Sequence, residues 1–383
     1  MQLEGTEVQQ AIAAAARKFA VERAEPAAAR ADREARFPEE LVRELGALGL
    51  LAVNAPADLG GSEAGVVAYA MAVMEIARAD CALAVTMAVT NMVGETIARF
   101  GTPAQRERCV PRLASAEWLA GSFALSEPQA GSDPGSMSTR AVRRGDRWVL
   151  NGSKQWITSG DRAGVLIVWA RTGDGVVGGA KGITAFLVEQ GTPGLVIGRH
   201  EEKMGIRSSS TVALTFEDCE IPETAVLGEV GHGMRIALAA LDGGRIGIAS
   251  QATGTIRAAL DASAAYARER KAFGQAIAGF QAISFALADM QTAHDAARLL
   301  TLRAAALKES GAPFGREAAM AKLFASEAAQ VAVGKAVQIH GGYGYVTDYP
   351  VERYYRDARV QTIYEGTSEI QRLVIARSIL SGS

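Results

Sequence analysis

Apolar positions along this chain follow two different periods, and the change of period divides it. From Met1 to about Trp118, the segments Pro38 to Leu50 and Glu63 to Arg78 place Leu, Val, Ile and Ala at helical spacing among charged residues, the pattern of amphipathic helices. Thr102-Pro103 adds a helix start, an N-cap hydroxyl followed by a first-turn proline. From Gly121 to about Pro222 the period drops to two: Val212, Leu214 and Phe216 alternate with Thr211, Ala213, Thr215 and Glu217, as a half-buried strand requires. Within that stretch Arg147 to Leu150 and Lys154 to Thr158 flank Asn151-Gly152, the dipeptide of type I′ turns, so the spacing predicts a hairpin centred there. Strands without intervening helices predict an antiparallel sheet or small barrel. After Gly228 the helical period returns, with Ile283, Leu287, Met290, Ala297, Leu300, Ala304 and Leu307 in one stripe over Phe280 to Ser310, long enough for a bundle. The expected organisation is a helical domain over 1–118, a β domain over 119–226 and a helical bundle over 227–383.

Composition narrows the partners. The 383 residues are 49% hydrophobic, and 40 Lys and Arg nearly balance 42 Asp and Glu, so the chain is an ordinary globular protein with no basic stripe for nucleic acid. The start, MQLEGTE, is acidic where a secretory signal is basic, and apolar strings such as Val165 to Trp169 are far too short to span a bilayer. A cytoplasmic protein without a membrane segment is expected. Cys81, Cys109 and Cys219 form no C-x-x-C pair and are read as buried free thiols. His200, His232, His294 and His340 are equally scattered, and no metal site is expected.

No P-loop, G-x-S-x-G elbow or strand-linked G-x-G-x-x-G occurs, so a dinucleotide, if bound, is bound by another route. Four segments carry candidate chemistry. FALSEPQAGSD, Phe123 to Asp133, is either a plain loop or a backbone cradle for a polar ring system. Gln155 to Thr158 either buries its Trp156 in a core or stacks it on a flat ring. Arg268 to Gln275, RERKAFGQ, is a solvated charged face or a pyrophosphate clamp. The fourth, IYEGTSEIQR, sets Glu365 before Gly366 in the loop ahead of a helix, with Ser368 and Gln371 spaced as a capping box. A helix dipole accounts for the sign of that charge but not for its Tyr-Glu-Gly setting.

Taken in order, FALSEPQAGSD, QWIT, KMGIRSSST, FEDCEIP, LDGGRIGIASQ, RKAFG, QIHGGYGY and YRDARVQTIYEGTSEIQR resemble the acyl-CoA dehydrogenase family over essentially the whole chain. The closest likeness is to the short-chain, butyryl-type branch. The resemblance implies a mainly α fold with a central antiparallel β domain and a C-terminal four-helix bundle. It implies FAD as cofactor, an acyl-CoA converted to the trans-2-enoyl-CoA, an electron-transferring flavoprotein as acceptor, a homotetramer, and a place in fatty-acid β-oxidation. Carried over by motif, Phe123, Leu125, Ser126, Gly131, Ser132, Trp156, Ile157 and Thr158 would surround the flavin ring and ribityl chain. Arg270, Phe273 and Gln281, with Gln338, Ile339, Gly341 and Gly342 from another subunit, would hold the ADP half, and Thr367 and Glu369 would also touch FAD. Ser132, Asp242, Arg245, Tyr364 and Gly366 would meet the acyl-CoA thioester. Ser159 stands where the family more often has Asn, and Gln129 where Gly is frequent.

Removing a proton beside a thioester needs a positioned base, donors to the carbonyl and an electron sink. Glu365 would be the base, its own N–H and a flavin ribityl hydroxyl would polarise the carbonyl, and a salt-bridge partner would weaken it, which is why none is placed beside it. Members resembling the isovaleryl-type branch carry their glutamate at the position of Gly244; this chain has glycine at 244 and the acid at 365. Two other readings are a flavin oxidase or oxygenase on the same scaffold and a non-catalytic helical interaction protein. Acyl length depends on side chains of the Cys81 to Phe100 helix, whose facing the sequence leaves open.

Overall fold

The computed structural model describes residues 5–173 and 181–381. Its first third is helical: α1 (Glu7–Phe19) runs through a short π-turn into α2 (Glu25–Glu34), followed by α3 (Glu39–Ala47), α4 (Val66–Ala79), α5 (Cys81–Phe100) and α6 (Pro103–Ala114). Thr102 caps α6 as expected, accepting from Gln105 N while the Gln105 side chain accepts from Thr102 N. Helix α5 is long and apolar enough to cross a bilayer by length and composition, contrary to the expectation that every apolar string falls short, but 89% of its apolar window is buried inside the protein. It is a core helix, with Val93 and Ile97 fully buried against the sheet-facing cluster.

The middle region holds β1 (Ala120–Ala124), β2 (Arg140–Arg144), β3 (Arg147–Thr158), β4 (Ala163–Arg171), β5 (Ile183–Glu189), β6 (Leu195–His200), β7 (Thr211–Pro222) and β8 (Val226–Leu227). The order is β6-β7-β3-β2-β4-β5-β8, and β1 joins at the side of β4. Most pairs are antiparallel, while β1 runs parallel to β4 and Arg140 pairs parallel with Arg171; the intervening β2–β3 hairpin supplies the crossover that a parallel pair needs. Along β7, Val212, Leu214 and Phe216 are buried as the alternation requires.

The Asn151-Gly152 turn is a correction. β3 continues straight through both residues, and the β2–β3 hairpin turns earlier, between Arg144 and Arg147. A bulge against β7 lies between Leu150 and Gly152. Asn151 is held across the sheet, exchanging bonds with Asp218 N and Oδ1 at 2.9 and 3.1 Å, and a Cβ at Gly152 would lie 2.6 Å from the Thr139 backbone. The glycine answers close approach within a strand rather than a turn.

The last third begins with α7 (Gly233–Glu269), 37 residues or about 55 Å at 1.5 Å per residue. A hairpin of β9 (Lys271–Ala272) and β10 (Gln275–Ala276) precedes α8 (Gln281–Glu309), α9 (Gly315–His340), α10 (Val351–Ala358) and α11 (Ser368–Ser381). α7 packs on α9, α8, α4 and α5, so it ties the two helical regions together. Its N-terminus abuts the sheet, where Trp169 Nε1 donates to Gly233 O at 2.7 Å. Cys81, Cys109 and Cys219 are buried free thiols.

Candidate active site

Glu365 occupies a loop between α10 and α11 with φ of 53°, followed by Gly366 at 85°, two consecutive left-handed residues of which only the glycine is free of steric cost. The strain is opposed by hydrogen bonds to both carbonyls. Gln371 Nε2 donates to Glu365 O at 3.0 Å and to Gly366 O at 2.9 Å, and Lys322 Nζ donates to Gly366 O at 2.7 Å. The helix cap is Thr367, whose Oγ1 accepts from Ile370 N at 3.3 Å. The expected Ser368–Gln371 capping box is thereby corrected: Ser368 Oγ is buried without a partner, and Gln371 is spent on the loop carbonyls.

The carboxylate itself has an orphaned atom, since Glu365 Oε2 is buried with no hydrogen-bond partner. Burial pushes its pKa up to about 7, against the pull of Arg245 and Lys322. It sits over Gly244 of α7: a Cβ built there would lie 2.8 Å from Glu365 Oε2 and 2.9 Å from Met92 Sδ of α5. Next along α7, Arg245 is 5% exposed and donates to Asp242 Oδ1 at 2.5 Å, while its Nε is buried without a partner. The Tyr364 hydroxyl donates to Gln251 Oε1, and Gln251 Nε2 donates to Cys81 O at 2.8 Å. The structure thus brings Glu365, Gly366, Tyr364 and Arg245 around one stretch of α7. The Glu365 backbone N–H makes no hydrogen bond among the described residues.

At the sheet, the second irregularity of β3 falls between Lys154 and Ile157. Trp156 there has φ of 63° and is 63% exposed; the bulge re-aims its ring out of the sheet, which overturns a core role for it. Gln155 N donates to Ser126 O at 2.9 Å, tying the Phe123 to Asp133 loop to this bulge. Gly131 in that loop faces open space, and Ser132 beside it is exposed. Phe123 is different: its ring lies 4.2 Å from Trp169. Phe123 is partly buried there, and Leu125 and Ile157 are buried, so these three offer a ligand their backbones more than free side chains. Beneath the loop a pair the sequence did not flag, Lys154 and Glu127, is wholly buried at 2.9 Å. Burial alone would raise the Glu127 pKa, but Lys154 and the Ser138 and Thr139 donors hold it down to about 2. Lys154 also donates to Leu125 O at 3.1 Å.

The third group is remote. In the β9–β10 hairpin Phe273 and Gly274 both have positive φ, 51° and 83°, the two positions of a type I′ turn, which leaves Phe273 96% exposed. Arg270 at the end of α7 shares a cleft with Ile339, Gly341, Gly342 and Tyr343 of the same chain. Its guanidinium lies 5.5 Å from the Tyr343 ring centre, and Cβ atoms at Gly341 or Gly342 would meet nothing within 4 Å. Gln281, Gln338 and Glu369 are exposed at the surface. Twenty-six residues of helix separate Gly244 from Arg270, about 39 Å, so one chain does not bring Arg270 to Glu365.

An outward-turned indole, an open glycine loop and a cation-and-glycine cleft fit a ligand with a flat ring at one end and phosphates at the other. Lys322 and the Glu127–Lys154 pair escaped the sequence reading, as did the hold of Gln371 on the loop carbonyls. Lys322 had one signal, its place on the small-residue stripe of Ala318, Ala325 and Ala329, where a lysine does not belong on a solvated face.

Comparison with known proteins places these features in a family. The acyl-CoA dehydrogenase N-terminal, middle and C-terminal domain families match residues 6–117, 122–219 and 231–380. The chain is 50% identical to the short-chain specific acyl-CoA dehydrogenase, mitochondrial, of Homo sapiens, over 99% of this chain and 91% of that protein. Butyryl-CoA dehydrogenase from Megasphaera elsdenii superposes with a TM-score of 0.96 at 41% identity, covering 99% and 100% of the two chains. A chain solved in work on the electron transferring flavoprotein of Acidaminococcus fermentans superposes with a TM-score of 0.97 at 41% identity, covering 99% and 100%.

Proposed function

Because the chain belongs to the acyl-CoA dehydrogenase family, we propose that it oxidises a short-chain acyl-CoA to the trans-2-enoyl-CoA, with Glu365 as general base and an electron-transferring flavoprotein as acceptor. The observation that carries this reading is the Glu365 carboxylate: buried, unpartnered at Oε2 and titrating at about 7, a base poised for work near neutral pH. Its proton source would be the substrate α-carbon, and the missing Cβ at Gly244 leaves the carboxylate the room to stand where it does. The free N–H of Glu365 would donate to the thioester carbonyl, stabilising the charge that builds on that oxygen as the proton leaves. Arg245, buried with an unpaired Nε, and Asp242 beside it would receive the polar part of the thioester arm, with Ser132, Tyr364 and Gly366 lining the approach.

FAD, when bound, supplies the acceptor for the β-hydrogen and its electron pair. Trp156, Thr158, Ser126, Gly131 and Ser132 with the backbones of Phe123, Leu125 and Ile157 would hold its ring end, beside Thr367 and Glu369 at the start of α11. Arg270, Phe273, Gln281, Gln338, Ile339, Gly341 and Gly342 would hold its phosphates and adenosine. The roughly 39 Å along α7 between Gly244 and Arg270 supports the view that the Arg270 and the Glu365 of one complete site come from different subunits, and we take the oligomer to be a homotetramer. We divide the chain into domains at 1–118, 119–226 and 227–383, and read the enzyme as a cytoplasmic participant in fatty-acid β-oxidation.

The test is anaerobic addition of butyryl-CoA to purified protein. Bleaching of the flavin absorbance, slow recolouring in air and fast recolouring with an electron-transferring flavoprotein are expected; rapid reoxidation by air would instead identify an oxidase. Arg270→Ala is expected to purify folded but depleted of FAD, because its guanidinium would be the main partner of a doubly charged pyrophosphate. Flavin content per chain after dialysis checks this, and a wild-type value would remove Arg270 from the cofactor site.

A further inference from the structure

Lys322 lies on the inward face of α9 with no solvent exposure, beside Ala318, Ala325 and Ala329, which are equally closed off. An ammonium group taken out of water is costly unless anionic partners or several acceptors replace the lost hydration. Lys322 has one acceptor, the Gly366 carbonyl at 2.7 Å, and no ion pair within 4.0 Å among the described residues. A buried cation so sparsely compensated is a poor choice for stability, and methionine would fill the same volume at less cost. Its position under the Glu365 loop gives it a different use.

That loop needs holding. Glu365 is a non-glycine residue at φ of 53°, a conformation that persists only where surrounding contacts impose it. The contacts on this loop's carbonyls come from two side chains, Gln371 and Lys322, and Lys322 alone carries charge. Glu365 is faced by Arg245 from α7, Lys322 from α9 and Tyr69 from α4. Arg245 acts most strongly on the Glu365 carboxylate but is itself paired with Asp242, and Lys322 is the second cation acting on it, the one that also holds the Glu365 loop through the Gly366 carbonyl. Lys322 in turn is faced by Glu365, Arg245, Glu327 and Glu369, and burial brings its pKa down to about 8 while Glu365 pulls it back up.

Resting on the functional reading above, we propose that Lys322 is a positioning residue for proton abstraction: its ammonium pins the Gly366 carbonyl, fixes Glu365 in its left-handed turn with the carboxylate facing Gly244, and keeps that carboxylate in its basic form. It touches no substrate atom and acts through Glu365. The electrostatic half of the role opposes the effect of burial, so the base is made strong by desolvation yet remains ionised in a useful fraction of molecules near pH 7.

The experiment compares wild type, Lys322→Met and Lys322→Gln, each loaded with FAD, by kcat and KM for butyryl-CoA between pH 5.5 and 9. For Lys322→Met, kcat at pH 7 is expected to fall by about 10–100-fold, KM to stay within about threefold, and the rising limb of the kcat profile to move up by about one pH unit. Lys322→Gln keeps a donor but no charge, so it should recover part of kcat while retaining the displaced limb. An unmoved limb with kcat within about twofold of wild type overturns the proposal. Failure of both variants to fold or hold flavin also overturns it, by assigning Lys322 to stability. Wild type that butyryl-CoA does not bleach defeats the functional reading instead, and is seen before any variant is made.

Discussion

Glu365→Gln is expected to lower kcat for butyryl-CoA by on the order of 10²–10⁴-fold, the usual cost of a lost general base, while flavin content stays at the wild-type level. The amide keeps the size and polarity of the carboxyl group but takes no proton. Retention of flavin follows because the loop is tied through the carbonyls of Glu365 and Gly366 rather than through the carboxylate. The wild-type profile supplies an independent check. The carboxylate form is the active one, so activity rises with pH through the folded-state value of about 7 and falls away below it. In Glu365→Gln the residual activity should lose that rising limb. Near-normal turnover by the amide variant would remove Glu365 from the base role.

Gly244→Ala is expected to be almost as damaging, although it adds a single methyl group. The new Cβ would sit 2.8 Å from Glu365 Oε2 and 2.9 Å from Met92 Sδ, so the carboxylate, the methionine or both must move. A displacement of about 1 Å at a reacting group can cost on the order of 100-fold. The expected result is a kcat loss of about 30–100-fold with folded, flavin-containing protein; kcat within about threefold would show that the glycine is not needed for the approach of carboxylate to α-carbon. The same geometry governs transfer of the base to α7. Gly244→Glu placed in the Glu365→Gln background would press its Cβ into the amide side chain of the loop and recover nothing, whereas Gly244→Glu with Glu365→Gly removes the clash and should recover a small part of the activity. Comparison of the two double variants by stopped-flow flavin reduction separates reach from room.

Much of this was legible in one dimension. The switch from helical to strand period and back is a property of local side-chain order, and it located the sheet between two helical regions because burial on one face of a helix or strand demands those periods. Glu365 could be singled out for the same reason: an acid before Gly366 and a helix start has few structural uses, and the family motifs around it added its chemistry. Where a residue's role depends on what crosses its path, the sequence misled or was silent. Asn151-Gly152 has turn chemistry, yet Thr139 and Asp218 approach it inside a strand. Trp156 belongs to an alternating run, yet a bulge set by pairing with β7 turns it to solvent. Ser368 and Gln371 have capping spacing, yet Gln371 is taken by two loop carbonyls. Lys322 and Glu365 are 43 residues apart along the chain, and nothing in either segment announces the other. Periods and local motifs fixed the elements and the reactive side chain because those follow from neighbours in sequence. The raised basicity of Glu365, the room over Gly244 and the buried cation beneath the loop arise from packing between α5, α7, α9 and the α11 start, and only the folded chain decides them.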